Sequence, residues 1–194
     1  MRAALTIDAE HPDRPAAPGN PERILDLLAD RNVRATVFVQ GRWAAANPVT
    51  ASRISAAGHL VGNHSLSHAP MPELTDEGIR ASLEKAAEAI QEATGVDPHP
   101  WFRCPYGDGA DDERVLALLE ELGYRHVGWD VDSEDWQAHD PAAMASLIVD
   151  GCLEHGDGAI ILMHAWPDVT VTALPAAIDG LLSRDVELVG VDQL

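Results

Sequence analysis

Short apolar and β-branched runs alternate along the chain with longer segments in which apolar residues recur every three or four positions. This alternation predicts an α/β fold with repeated βα units around a mainly parallel sheet. Strands are predicted at residues 2–7, 34–39, 60–63, 101–103, 125–130, 159–163 and 187–191. An open doubly wound sheet and a (β/α) barrel both satisfy this pattern. The even spacing of about seven parallel strands favours a distorted (β/α) barrel.

The clearest predicted helix covers residues 76–93, because its apolar residues recur at helical spacing and polar residues lie between them. Thr75 is placed to cap its first turn and Gly95 to end it. Further helices are predicted at residues 21–30, 51–57, 111–122, 141–153 and 173–182. With 194 residues and neither a linker nor a repeat, the chain is expected to form one domain, residues 1–194.

The charge balance limits the partners that the protein can bind. Thirteen basic against 32 acidic side chains give a formal net charge of −19. Such a charge disfavours contact with nucleic-acid phosphates and with anionic membrane surfaces, and no apolar run approaches the roughly 20 residues of a membrane helix. We therefore expect no nucleic acid and no membrane as partner, and the composition leaves the oligomeric state open.

The number of cysteines and the N-terminal residues indicate the cellular compartment in which the protein is expected. Cys104 and Cys152 are the only cysteines, which fits free buried thiols in a reducing compartment. The chain opens with a strand-like run instead of a charged segment followed by an apolar one, so no export signal is recognised. Cytoplasmic localisation is expected, with secretion as the alternative, since a signal that had been removed would leave the same sequence.

Polar residues follow the predicted strands at the point where each strand ends. In a parallel sheet these ends lie together, and reactive groups gather outside them. The residues in question are Asp8, Glu10, His64, His68, Arg103, Asp132, Asp135 and His164. Their shared position predicts a functional site at the carboxyl ends of the strands.

His64 and His68 are four positions apart, which on a helical turn places two imidazoles on one face within reach of one cation. A carboxylate from Asp8 or Glu10 could complete the set and leave an open position for water, as in catalytic zinc sites. Nine histidines in the chain make a chance pair the competing interpretation.

Asp8 and Glu10 point to the same side if strand geometry continues, so one can bind metal while the other acts as a base. A solvated acidic strand end is the competing interpretation. His164 ends an apolar run, where a lone histidine is more often a core residue, but its position beside the other polar residues favours a chemical role.

Five segments occur in a characteristic order: residues 6–10 (TIDAE), 62–68 (GNHSLSH), 103–107 (RCPYG), 132–136 (DSEDW) and 162–164 (LMH). They resemble the motifs of the polysaccharide deacetylase family, the NodB homology fold of carbohydrate esterase family 4. The connecting residues 34–41 and 57–63 are also similar, so the resemblance covers nearly the whole chain. Each motif alone is weak evidence, but the ordered set is specific.

The resemblance implies a role for each matching residue. Asp8 would be the general base, His64 and His68 metal ligands, and His164 the general acid. Arg103 would hold Asp8 ionised and oriented through a charge-assisted hydrogen bond.

The remaining implied roles concern the oxyanion, the acid and the pocket. The backbone N–H of Tyr106 would bind the oxyanion, Asp135 would tune His164, and Trp136 and Leu162 would wall the acyl-methyl pocket. Trp166 either narrows the substrate pocket or belongs to the core. Cys104 fills a variable position of its motif and is expected to have no chemical role.

The first motif departs from the commonest family pattern, which has two adjacent aspartates, the second of them a metal ligand. Ala9 stands at that second position and cannot bind metal. Glu10, one residue on, resembles a minority form with two separated acidic residues, so it is the expected third ligand. One divalent metal is implied, with zinc expected and cobalt or nickel as alternatives.

The expected activity is removal of an acetyl or other acyl group from an N-acetylated amino sugar or polysaccharide. Hydrolysis of O-acetyl esters and of a small cyclic amide or imide are alternatives within the enzymes. A non-catalytic carbohydrate-binding relative that lost a ligand at Ala9 is the alternative from another class. The expected partner is therefore a carbohydrate or a small acetylated substrate.

Overall fold

A computed structural model of the protein describes residues 1–14 and 17–194. Within these residues there are eight strands, and every strand pair is parallel. The strands are β1 (Arg2–Ala9), β2 (Thr36–Val39), β3 (Leu60–Asn63), β4 (Trp101–Phe102), β5 (Arg125–His126), β6 (Val131–Asp132), β7 (Ala159–His164) and β8 (Glu187–Val189). They run in the order β5-β4-β3-β2-β1-β7-β6, and β8 pairs with the first half of β1.

The two outermost strands of this path, β5 and β6, are consecutive in the chain. Residues 127–130 carry the backbone from one edge of the sheet to the other. The N–H of Val127 still donates to the carbonyl of Phe102, beside β4, whereas the N–H of Asp130 already donates to the carbonyl of Ile160 in β7. The curled sheet is thus a distorted (β/α) barrel, as predicted, with one more strand than the pattern indicated.

The predicted strand at residues 125–130 is wrong as a single element. It ends at His126, and the next strand, Val131–Asp132, belongs to the opposite edge. Val127 and Trp129 in the crossing segment are buried or half-buried, although this segment does not pair as a strand. The carbonyls of Val127 and Gly128 accept hydrogen bonds from the Arg103 side chain, which replace ladder bonds.

Seven helices of the described residues surround the sheet, together with short 3-10 turns. They are α1 (Asn20–Asp30), α2 (Gly41–Ala46), α3 (Pro48–Ala56), α4 (Asp76–Thr94), α5 (Glu113–Glu121), α6 (Pro141–His155) and α7 (Asp168–Leu182). Helix α4 begins and ends as predicted: the Thr75 side chain accepts from the N–H of Gly78, and Gly95 adopts a left-handed conformation with φ 76°.

Four helices differ from the prediction. Helix α3 begins at Pro48, three residues before the predicted start. Helix α2 was not predicted, because six residues are too few to show an amphipathic repeat. Helix α5 begins two residues late, because the Asp112 side chain accepts from the first helical N–H groups and so acts as the cap. Helix α7 begins at Asp168, five residues before the predicted start, and tolerates Pro175 inside it.

Alternation along β1 separates the core from the barrel interior. One set of its side chains packs with the helices in the main hydrophobic core; these are Ala3, Leu5, Ile7 and Ala9. The other set faces inward, where Ala4 packs with Phe38 and Val127. Asp8 belongs to this inward set by its position, and it is 3% exposed. The same alternation that buries the core therefore aims Asp8 at the barrel interior.

Both cysteines lie in the described part of the chain and are free and buried, as the composition indicated. Burial raises the pKa of the Cys104 thiol to about 12. Among residues 1–14 and 17–194, no helix combines the length and the apolar character needed to cross a membrane.

Candidate active site

The strand register brings the predicted residues to one end of the barrel. Asp8, near the end of β1, is the register partner of His164, the last residue of β7. At the ends of β3 and β4, Asn63 is the partner of Phe102. The residues that follow this second pair, His64 and Arg103, consequently leave the sheet side by side, as their mutual hydrogen bond shows.

Glu10 is the centre of a cluster of imidazoles. Its Oε2 lies 2.6 Å from Nε2 of His68 and 3.2 Å from Nε2 of His64, and its Oε1 lies 3.2 Å from Nε2 of His11. Glu10 is only 4% exposed, and burial alone would raise its pKa. The hydrogen bonds with the three histidines outweigh burial and hold the pKa well below its usual range. Glu10 is therefore a buried anion.

The ring of His64 is fixed by its second nitrogen. Its Nδ1 lies 2.9 Å from the carbonyl of Arg103, and because a carbonyl can only accept, Nδ1 carries the hydrogen. Burial alone would lower the pKa of His64, but the charges of Asp8 and Glu10 raise it, so a second proton on Nε2 can donate to Glu10. Two lone pairs at 3.2 Å repel each other unless a proton or a cation lies between them. The donor set of Glu10, His64 and His68 thus fits a divalent metal that prefers nitrogen and oxygen ligands.

The helical turn expected for residues 64–68 is wrong. The segment is irregular, with positive φ of 62° at both Ser65 and His68. Side chains replace the helical hydrogen bonds: Asn63 Oδ1 accepts from the N–H of Ser65, and Ser65 Oγ accepts from the N–H of His68. The two imidazoles still meet, with ring centroids 4.8 Å apart.

Arg103 is fully buried and anchors Asp8. Its Nη1 donates to Asp8 Oδ1 at 2.9 Å, while Nε and Nη2 donate to the carbonyls of Val127 and Gly128. Burial lowers the pKa of Arg103, and the charge of Asp8 opposes that shift. Asp8 Oδ2, the other oxygen, lies 3.6 Å from His64 Nε2. One oxygen of Asp8 is thereby tied to arginine and the second faces the cluster.

His164 is paired with Asp135 on the opposite side of the site. Its Nδ1 and its backbone N–H both contact the Asp135 carboxylate at 2.7 Å, and Thr170 Oγ1 donates to the same group. Burial alone would lower the pKa of His164. The hydrogen bond and charge of Asp135, with smaller contributions from Asp8 and Glu10, raise this pKa to about 9. His164 is therefore a proton donor at neutral pH.

These groups open onto one cavity of about 380 Å³. Trp136 and Tyr106 are exposed on its walls at 54% and 62%, and Leu162 is buried behind them. Trp166 also lines this cavity, so the interpretation of it as a purely core residue is wrong. A second cavity of about 660 Å³ shares the walls formed by Trp136 and Trp166.

Tyr106 lies in a strained turn within the third motif. Its φ of 59° is left-handed, and its ring packs edge-on to the His68 ring with centroids 4.3 Å apart. The structure thus brings Tyr106 to the same cavity as the other predicted residues, whereas Cys104 is buried beneath it. All eleven predicted site residues belong to this cavity, to the Glu10 cluster or to the contacts that support them.

Sequence reasoning missed three residues that line the cavity: His11, Arg14 and Trp129. His11 contacts Glu10, and Arg14 stacks on the Trp166 ring with its guanidinium carbon 4.1 Å from the centroid. His11 follows a ligand candidate directly, so strand alternation would aim it away from the site. Its adjacency to Glu10 was the available signal. Nothing in the sequence indicated the stacking of Arg14.

The chain is similar in sequence and in structure to several known proteins. The chain is 33% identical over 193 residues to the peptidoglycan-N-acetylglucosamine deacetylase PgdA of Listeria monocytogenes, covering 100% of the chain and 38% of PgdA. Among solved structures, it matches a family 4 carbohydrate esterase from Streptomyces lividans in complex with acetate. That match has a TM-score of 0.84 and 31% identity, and it covers 96% of the chain and 91% of the esterase.

A third relative differs in character. A CE4 family pseudoenzyme from Bacillus anthracis matches with a TM-score of 0.86 and 30% identity, over 100% of the chain and 64% of the pseudoenzyme. The chain therefore spans less than two thirds of PgdA and of the pseudoenzyme. A sequence model described as polysaccharide deacetylase matches residues 2–127, which is more than half of the chain. The chain therefore belongs to the polysaccharide deacetylase family.

Proposed function

We propose that this protein is a metal-dependent hydrolase that removes an acetyl group from an N-acetylated amino sugar or polysaccharide. The observation that carries the proposal is the pairing of a carboxylate and a protonated imidazole across one cavity. Asp8 is held by Arg103, and His164 is held by Asp135. A base and an acid of this kind, beside a metal-binding donor set, suit hydrolysis of an acyl bond.

Glu10, His64 and His68 would hold the metal. Their nitrogen and oxygen donors favour zinc, with cobalt and nickel as alternatives. When bound there, such an ion lowers the pKa of water and polarises an acyl carbonyl. The chain's own residues supply the proton transfers and the orientation of the substrate.

Asp8 acts as the general base. Arg103 occupies Oδ1 of Asp8, which orients the carboxylate and leaves Oδ2 to accept the proton of the attacking water. The backbone N–H of Tyr106 donates to the oxyanion that forms on the acyl carbon. Trp136 and Leu162 enclose the acyl methyl group and exclude bulk water from it.

His164 acts as the general acid. An amine anion is a poor leaving group, so the departing nitrogen must receive a proton as the carbon–nitrogen bond breaks. The Nδ1 of His164 is engaged by Asp135, which leaves Nε2 as the donor. The products are acetate and a free amino sugar.

One of the relatives, PgdA, supports an amide substrate. PgdA is named as a peptidoglycan-N-acetylglucosamine deacetylase, and its similarity extends over the whole of this chain. The cavity, walled by Tyr106, Trp136 and Trp166, offers aromatic faces of the kind on which sugar rings pack.

A non-catalytic role is the second candidate, and one observation favours it. Ala9 lacks the carboxylate of the commonest first motif, and a structurally similar relative is described as a pseudoenzyme. A binding protein, however, would need neither the Asp8–Arg103 nor the His164–Asp135 pair. Their intact hydrogen bonds therefore support catalysis.

Acetate release from chitooligosaccharides, peptidoglycan fragments, acetylxylan and small cyclic amides tests the proposal, with metal content measured in parallel. We expect release from the N-acetylated sugars, loss on chelation, and recovery when zinc or cobalt is added back. Esters alone as substrates would replace the amide assignment by an esterase. Stoichiometric metal without any hydrolysis, together with sugar binding, would support the non-catalytic alternative.

A further inference from the structure

His11 is placed in the cluster by an unusual backbone conformation. In an extended strand, neighbouring side chains point to opposite faces, yet the side chains of Glu10 and His11 meet at 3.2 Å. They can do so because β1 ends at Ala9 and His11 adopts a left-handed φ of 52°. A non-glycine residue rarely adopts this conformation, and where it does, the strain is often associated with function.

The turn is held by a buried partner. The N–H of His11 donates to Oε1 of Gln40, whose side chain is 1% exposed. Gln40 in turn donates its own N–H to the carbonyl of Ala9, so the two segments are joined in both directions. The surrounding structure thus maintains the strained conformation that aims the His11 ring at Glu10.

The ligand atoms of Glu10, His11 and His68 all lie within 4.8 Å of one another. The donor atoms of one tetrahedral zinc ion, with bonds of about 2.0–2.2 Å, lie about 3.4 Å apart, so binding would draw these atoms closer by up to about 1.4 Å. The rings of His11 and His68 are edge-on, with centroids 4.6 Å apart, and the Nε2 atoms of both lie within 3.2 Å of the Glu10 carboxylate.

We infer that His11 is an additional metal ligand, which completes a site formed by Glu10, His11, His64 and His68. This inference rests on the metal site of the proposed function but not on its reaction. His64 and His68 approach Oε2 of Glu10 while His11 approaches Oε1, so an ion that all three imidazoles reach would be held by both oxygens of the carboxylate. His11 then makes up for the ligand that Ala9, packed in the hydrophobic core, does not provide.

The competing arrangement is a hydrogen bond alone. His11 would donate to Glu10 and orient it without touching the metal, and the loss of such an outer partner typically costs about 10–100-fold in metal affinity. The two arrangements differ in the number of imidazoles bound to the metal. They also differ in whether the removal of His11 changes the coordination of that metal.

The test uses the full chain loaded with zinc or cobalt. X-ray absorption counts the imidazoles on zinc, the visible spectrum of the cobalt form reports its coordination, and competition with a chromophoric chelator gives the zinc affinity. We expect three imidazoles in the wild type and two in His11→Ala, an altered cobalt spectrum, and a zinc affinity reduced by more than about 100-fold.

His139→Ala is the matched control, because His139 lines the neighbouring cavity and is exposed. It should leave all three readouts unchanged. Two imidazoles in the wild type, or an unaltered cobalt spectrum in His11→Ala, would overturn the inference while leaving the metal site itself intact. Absence of stoichiometric metal from the wild type would instead overturn both this inference and the metal dependence of the proposed function. If His11→Ala does not fold, the wild-type imidazole count alone decides.

Discussion

Two buried carboxylates of the site are each tied to one cationic partner. Asp8 accepts from Arg103, and Asp135 accepts from the ring and the backbone of His164. Charge-assisted hydrogen bonds of this kind are short and strong, and they fix the orientation of a carboxylate. Substitutions that keep the shape of the side chain but remove its charge therefore separate chemical roles from packing.

Asp8→Asn tests the base. Asparagine keeps an oxygen for Arg103 but cannot accept a proton at neutral pH, so we expect kcat to fall by about 10²–10⁴-fold. Metal content should stay stoichiometric, because Glu10 and the histidines are unchanged. Kinetics, metal analysis and circular dichroism on one preparation check these expectations. Full activity in the variant would assign the base to another group.

Asp135→Asn tests how the acid is tuned. The carboxylate of Asp135 raises the pKa of His164 to about 9, so its loss should lower that pKa. A general acid must be protonated, so activity falls as the pH rises through the pKa of His164. We therefore expect the alkaline limb of the kcat/KM profile to move to lower pH in the variant. If the alkaline limb did not move, it would have to be assigned to a group other than His164.

The pair of His164 and Asp135 also makes the free energy of unfolding depend on pH. The pKa of His164 is raised in the folded state from 6.5 to about 9, so the folded state binds this proton more tightly than the unfolded state. This stabilisation is fully present below the unfolded pKa and is lost as the pH rises through the folded one. Urea unfolding between pH 6 and pH 10 should show this loss in the wild type. The loss should be smaller in Asp135→Asn.

Most site residues could be named from the sequence because strand ends and ordered motifs mark them. His64 and Asp8 each follow or end a short apolar run, so their position in a parallel sheet is fixed by the fold class. His11 could not be found in this way. Its approach to Glu10 depends on a left-handed φ and on a hydrogen bond with Gln40, 29 residues away.

Among the secondary-structure elements, α2 and α4 make an unusually close contact. A Cβ added to Gly41, at the start of α2, would lie 2.8 Å from the Cα of Ala86 in α4 and 3.0 Å from Leu66 Cδ1. The first contact is with backbone, which cannot rotate away. Leu66 lies between His64 and His68, so this packing also supports the loop that carries both imidazoles.

Gly41→Ala should therefore lower the free energy of unfolding, by about 1–3 kcal/mol as in other overpacked sites. Gly78→Ala in α4 is the control, since its Cβ would meet nothing closer than 3.4 Å. It should be neutral or stabilising by up to about 1 kcal/mol through helix propensity. Chemical unfolding of both variants measures the difference. Equal stabilities would mean that α2 can move away from α4 at little cost.

Elements with local signals were predicted well, and those set by distant contacts were not. Helix α4 carries its own cap, its own amphipathic repeat and its own terminating glycine. The turn at residues 64–68 instead follows side-chain hydrogen bonds from Asn63 and Ser65, which compete with helix formation. Residues 125–130 were predicted as one strand, but the barrel divides this segment between two edges.

At the scale of the whole molecule, Arg103 joins the barrel closure to the site. Three of its nitrogens donate to the carbonyls of Val127 and Gly128 and to the carboxylate of Asp8. Its guanidinium carbon also lies 4.3 Å from the Phe38 ring centroid. The segment that crosses from β5 to β6 is thus anchored by the side chain that orients the proposed base. The sequence indicated the link to Asp8 but not the link to the crossing segment.

Arg103→Met and Arg103→Lys separate these two contributions. Methionine leaves the buried carboxylate of Asp8 and both carbonyls without a donor, so unfolding should become easier by about 3–5 kcal/mol. Lysine restores a charge for Asp8 but not the planar fork that reaches both carbonyls, so its stability should lie between methionine and wild type. Arg80→Lys, in an exposed pair with Glu121, is the matched control and should change stability little. Urea unfolding gives the order of the four proteins. If Arg103→Lys matched the wild type, the bonds to the crossing segment would contribute nothing to closure, and the role of Arg103 would be confined to Asp8.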